Sequence, residues 1–133
     1  MEMNEATIEV NSRTFRVNYS ELENAVIAFF FEDRMRLGTL AIAMPGTDEV
    51  AADEVAVGRS SVLVGGKYLM TSRALAERIA GKSRRIALVS LFTELDEAEA
   101  FRIYAKLLEK VQLGTQSAEK SLRPNRSIRQ NIG

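Results

Sequence analysis

The stretch Ser60–Leu91, SSVLVGGKYLMTSRALAERIAGKSRRIALVSL, decides how this chain is read. An apolar run, Val62-Leu63-Val64, meets the glycine pair Gly65-Gly66, and a segment with helical spacing follows. From about Lys67 to Ala80, Leu69, Leu75, Ala76, Ile79 and Ala80 form one apolar stripe, with Arg73, Glu77 and Arg78 outside it. Gly81 suits the left-handed position that ends a helix. Arg85–Leu91 then reads as another strand, so the block predicts strand, turn, helix, turn, strand. Gly65-Gly66-Lys67 also invites a phosphate-binding reading, because free N–H groups at a helix start attract anions. A phosphate loop of the Walker type needs Gly, four residues, Gly-Lys, then Ser or Thr. Here Ser61 stands where the first glycine belongs and Tyr68 where the magnesium-binding hydroxyl belongs. Two defining positions fail, and the glycines are better explained by a tight strand-to-helix turn.

Upstream of this block, Ile8 and Val10 alternate with polar residues before Asn11-Ser12, and Phe15, Val17 and Tyr19 alternate after it. A period of two across a turn-forming pair predicts a β-hairpin. Ala25–Phe31 (AVIAFFF) is continuously apolar, which suits a central strand covered on both faces. The charged stretch Glu32–Arg36 separates it from Leu37–Met44 (LGTLAIAM), and the two runs read as a second hairpin. Pro45-Gly46 stops that strand. The connection from Gly46 to Ser60 holds Asp48, Glu49, Asp53 and Glu54, with no cation before Arg59, and reads as an exposed loop with a short edge strand around Val50–Val57. Downstream, Thr93 or Asp96 caps a helix expected over Asp96–Gln112. Its apolar face is Phe101, Tyr104, Ala105, Leu108 and Val111.

The chain is one domain by length, with residues 1–113 forming it and residues 114–133 a flexible basic tail. That tail carries Lys120, Arg123, Arg126 and Arg129 against Glu119. With 18 basic and 18 acidic residues overall, the first 113 positions therefore hold a net charge of −3. Zero net charge and the absence of an aromatic–basic signature give no pointer to nucleic acid. There is no cysteine and no histidine. That excludes disulfides, thiolate metal sites, cysteine nucleophiles and serine–histidine catalysis. No apolar run has the length of a membrane span and no basic signal-peptide start is present, so a cytoplasmic protein is expected.

What remains is binding. The acidic loop matches no calcium-loop spacing, and it reads either as a solubilising surface or as a docking surface for a basic partner. Phe29, Phe30 and Phe31 put apolar bulk on both faces of one strand, a physical reason to expect self-association.

Element order and several local strings resemble the proteasome assembly chaperones of types three and four. GTLAIAMPG (Gly38–Gly46) is similar to that family's mid-chain strand and loop, and Val62–Leu91 follows its strand, glycine turn, helix, turn and strand. Thr71–Leu91 is similar to the type-four protein, while the N-terminal hairpin and the last helix look more like type three. The resemblance covers about Glu5 to Val111. It implies a non-enzymatic, cofactor-free protein that forms a dimer and binds α-subunits of the proteasome core particle while the α-ring assembles. It also implies that the mid-chain loop makes charged contacts with the α-subunit: Asp48, Glu49, Asp53, Glu54 and Arg59 are the expected partner-binding residues, and Phe29, Phe30 and Phe31 the expected dimer contacts. The expected fold is α+β, a mainly antiparallel sheet of about six strands with two helices on one face. A general dimeric interaction module with another client is the alternative, and a phosphate- or nucleotide-binding protein using Gly65–Lys67 carries the least weight.

Overall fold

The computed structural model describes residues 2–46 and 59–114. Among the described residues six strands and two helices follow one another: β1 (Asn4–Val10), β2 (Arg13–Glu21), β3 (Ala25–Phe31), β4 (Thr39–Met44), β5 (Arg59–Val64), α1 (Leu69–Ser83), β6 (Ile86–Leu91) and α2 (Glu97–Leu108). The strands form one sheet in the order β1-β2-β3-β6-β4-β5, and the two helices pack on one of its faces. Only the β3–β6 pairing is parallel, so the sheet is mainly antiparallel and the fold is α+β as expected.

The first hairpin turns at Asn11 and Ser12, which adopt φ of 53° and 66°. Two successive left-handed residues match the twist of the flanking strands, which explains a two-residue turn there. The second hairpin is not formed. β3 and β4 do not pair; β6 lies between them, parallel to one and antiparallel to the other. The connection 32–38 therefore crosses two strand spacings, about 10 Å, instead of turning back on its neighbour. Gly38 makes this crossing possible. A Cβ there would stand 2.0 Å from the Leu91 carbonyl oxygen, so only glycine lets the chain pass the end of β6. Its N–H donates to Ser90 Oγ at 2.9 Å, tying the crossing to the strand it skirts.

The core lies between the sheet and the helices. Phe15, Val17, Val26, Phe30, Ala41, Ala43, Ala87 and Val89 face Leu75, Ile79, Ile103, Tyr104 and Leu107. Alanines on β4 and β6 let α1 sit close, whereas aromatics on β2 and β3 fill the wider gap under α2. Phe15 and Phe30 both meet the Tyr104 ring edge-on, at 5.6 Å and 5.9 Å between centroids, the preferred aromatic geometry.

Both helix ends depart from the simplest sequence reading. α1 runs through Gly81 and stops at Arg84, which takes the left-handed conformation (φ 57°) and donates its N–H to the Ala80 carbonyl. Ser83 Oγ bonds back to Ile79, which favours the extra turn. α2 ends at Leu108, shorter than expected, and Asp96 caps its start by accepting from Glu99 N–H at 2.8 Å. Beyond α2 the chain is held by Arg85. This buried guanidinium donates to Glu21 at 2.6 Å, to the Leu22 carbonyl at 2.7 Å and to the Gly114 carbonyl at 2.6 Å. Neither helix is long and apolar enough to cross a membrane.

Candidate interaction surface

The sheet face turned away from the helices is apolar across β3, β6 and β4, and on β5 it carries Val64 beside the polar Ser61 and Arg59. Strand pairing aligns it in rows. Ile27, Leu88 and Ile42 stand side by side on three adjacent strands, and Phe29, Ser90, Leu40 and Val64 form the next row. Ser90 is polar but buried, and its hydroxyl is engaged by the Gly38 N–H; on β5 the first row ends at exposed Ser61. Met44 (48% exposed) and Val64 (57% exposed) mark the rim. A β-bulge between Leu40 and Ala41 shifts the β5 register, and Leu63 projects from that edge 54% exposed. On β1 and β2 the same face turns polar, with Glu5 and Arg16 in an exposed ion pair at 3.5 Å. A sheet with one wet face alternates apolar and polar residues, whereas β3, β6 and β4 read apolar on both sides. One side is covered by helices, and among the described residues no element covers the other.

The expected contact residues divide accordingly. Phe30 is fully buried beneath α2 against Tyr104, so its side chain belongs to the protein's own core. Phe29 lies on the open face, beside Ser90 of β6. Phe31 is buried but stands apart from the core cluster, opposite Arg16. Arg59 opens β5, exposed and paired with Met44 at the corner of the open face. Asp48, Glu49, Asp53 and Glu54 lie outside the described residues, as do the edge strand expected around 50–57 and the tail from residue 115. Sequence reasoning missed Leu88, Ile42 and Leu40. Their shared surface exists because β6 inserts between β3 and β4; the sign available was that all three strands are continuous apolar runs.

At the end of the sheet where β5 and β6 run into their helices, the glycine turn has a structural role. Gly65 adopts φ of 120° and packs so closely on Thr39 that a Cβ would stand 2.7 Å from its hydroxyl. Tyr68, also left-handed, donates its hydroxyl to the Leu95 carbonyl at 2.5 Å, with the Thr93 carbonyl at 3.0 Å. Burial raises the Tyr68 phenol pKa, as do the nearby Glu97, Asp96 and Glu94 carboxylates. The start of α1 has no side-chain cap from its own N-cap residue. Glu97 of α2 serves instead, accepting from Thr71 N–H at 2.9 Å and from the Thr71 hydroxyl at 2.5 Å. A carboxylate thus occupies the helix start where a phosphate would be cradled, with Glu94 and Asp96 beside it, and a second anion would be repelled.

A smaller cleft of about 160 Å³ lies among Arg13, Glu32, Arg36 and Phe92. Three of its charged groups are engaged internally: Arg13 grips Glu32 through two bonds of 2.7 Å and 2.8 Å, and Arg36 stacks over the Phe92 ring. Among the described residues no group of three acidic side chains is placed to hold a metal ion.

No protein-family model matches the chain. No curated protein matches it either. Among solved structures the fold is similar to a chain from the crystal structure of a chaperone complex for yeast 20S proteasome assembly. The TM-score is 0.58 and the identity 10%, with 82% of this chain and 97% of that one covered. At that identity the likeness is one of fold.

Proposed function

We propose that this protein is a non-enzymatic assembly chaperone that works as a dimer and binds α-subunits of the proteasome core particle during α-ring formation. The observation that carries the reading is the fold likeness to a proteasome assembly chaperone over nearly the whole of that chain. The chemistry agrees with it. A chain without histidine or cysteine has neither the commonest general base nor a thiol nucleophile, and the largest feature left is an apolar sheet face.

The dimer is formed by two copies of that face. The apolar region of β3, β6 and β4, with Val64 of β5 at its edge, is about 15 Å by 20 Å and suits packing against a second sheet. A two-fold axis through it sets the Ile27–Leu88–Ile42 row of one copy against that of the other, and the polar strands β1 and β2 fall at the rim. The client contact is assigned to Asp48, Glu49, Asp53 and Glu54, four carboxylates that complement a basic patch on an α-subunit, with Arg59 at the loop's end.

The test is native mass spectrometry of the purified protein mixed with α-subunits of its own organism. A complex is expected, and charge reversal at Asp53 and Glu54 is expected to weaken it. No complex and no effect on ring formation would remove the proteasome reading, and recovery of an unrelated partner would favour a general interaction module.

A further inference from the structure

The open groove at the helix starts has a volume of about 640 Å³, lined by residues 66–70 of the glycine turn and residues 94–97 before α2. Its apolar part is exposed: Met70 is 75% accessible and Leu69 43%, although both belong to the first turn of α1. Glu94, Asp96 and Glu97 stand on the other wall, against Lys67 alone. An apolar floor beside a net negative wall fits a segment that carries apolar anchors between cations.

The chain supplies such a segment. Residues 122–133, LRPNRSIRQNIG, hold Leu122, Ile128 and Ile132 together with Arg123, Arg126 and Arg129, and no acidic side chain. We propose that this C-terminal segment docks in the groove of its own chain. The lengths agree. Gly114 is tied by Arg85 to the sheet end where β6 begins, and the groove lies where β6 ends. α2 alone spans about 18 Å of that distance, so the return path is roughly 20–25 Å. Residues 115–121, TQSAEKS, can cover up to about 24 Å when extended, and they hold no large apolar side chain. The spacer, whose Glu119 and Lys120 cancel in charge, therefore ends where the apolar residues and the arginines begin. Docking is expected to bury Met70 and to place the arginines against Glu94 and Asp96.

The absence of cysteine allows a clean test. The full-length double variant Met70→Cys, Ile128→Cys is oxidised at low micromolar concentration and compared with Thr14→Cys, Ile128→Cys, whose first thiol lies on the polar side of the open sheet face. The expected result is an intrachain disulfide that forms about tenfold faster for the groove pair, at a rate independent of protein concentration. Adding Glu94→Lys and Asp96→Lys to the groove pair is expected to slow the bond severalfold. Equal rates for the two pairs, or no response to the charge reversals, would overturn the proposal. A bond that forms only between chains, faster at higher concentration, would reassign the groove to the tail of a second copy and overturn the intrachain docking stated here.

Discussion

Tyr104 shows how one side chain can be both an organiser and a cost. Its ring meets those of Phe15 and Phe30 at right angles, while its hydroxyl is buried near the Thr93 side chain without a hydrogen bond of good geometry. An unmatched hydroxyl destabilises by about 1–3 kcal/mol, so Tyr104→Phe is expected to leave stability at pH 7 unchanged or raise it by about 1 kcal/mol. Burial pushes the Tyr104 phenol up to about 12, with the neighbouring Thr93 side chain offsetting part of the effect. The folded state therefore prefers the neutral phenol more strongly than the unfolded chain does. That preference is fully present below pH 10 and is lost as pH rises from 10 to about 12, amounting to roughly 3 kcal/mol. Urea unfolding at pH 8 and pH 11 checks this: the protein is expected to lose more stability between the two than Tyr104→Phe does. The buried tyrosine was legible from its place on the apolar stripe of the last helix. Its missing partner was not, because hydrogen bonding to a side chain depends on which strands lie opposite.

At the scale of elements, the two helices are joined at their starts by Glu97. Thr71 is fully buried, and the Glu97 carboxylate satisfies both its N–H and its hydroxyl. Glu97→Ala is expected to cost about 2 kcal/mol, by uncapping α1 and leaving a buried hydroxyl without a strong acceptor. Glu97→Gln, which keeps an acceptor oxygen, is expected to cost less than half of that; equal losses in denaturant melts would mean that the contact contributes little. Sequence periodicity located both helices because their apolar stripes are local properties. It misplaced the end of α1, since Gly81 tolerates helix as well as a stop, and the left-handed residue turned out to be Arg84. It also paired β3 with β4. Two apolar runs near each other favour a hairpin locally, and only a strand far along the chain, β6, overrides that by bonding to both. The passage of Gly38 against Leu91 was invisible for the same reason: nothing adjacent in sequence signals that approach.

At the scale of the whole molecule, inserting β6 turns three separate apolar runs into one surface. The helices cover one side, and Ile27, Phe29, Leu40, Ile42 and Leu88 remain on the other. The aromatic run of β3 was readable as two-faced before any fold was known, but not which side the helices would cover, so Phe30 was expected at the dimer contact and lies in the core instead. The rest of the surface depended on strand order, so it could not be listed from the sequence. A second copy is expected to cover this face, and sedimentation equilibrium at micromolar concentration decides whether it does. The 14.8 kDa chain is expected to sediment at twice its mass, and Leu88→Lys, a cation at the centre of the apolar rows, at its single mass with an unchanged circular dichroism spectrum. A wild-type protein that remains a monomer, or a Leu88→Lys variant that still forms the dimer, would contradict the account.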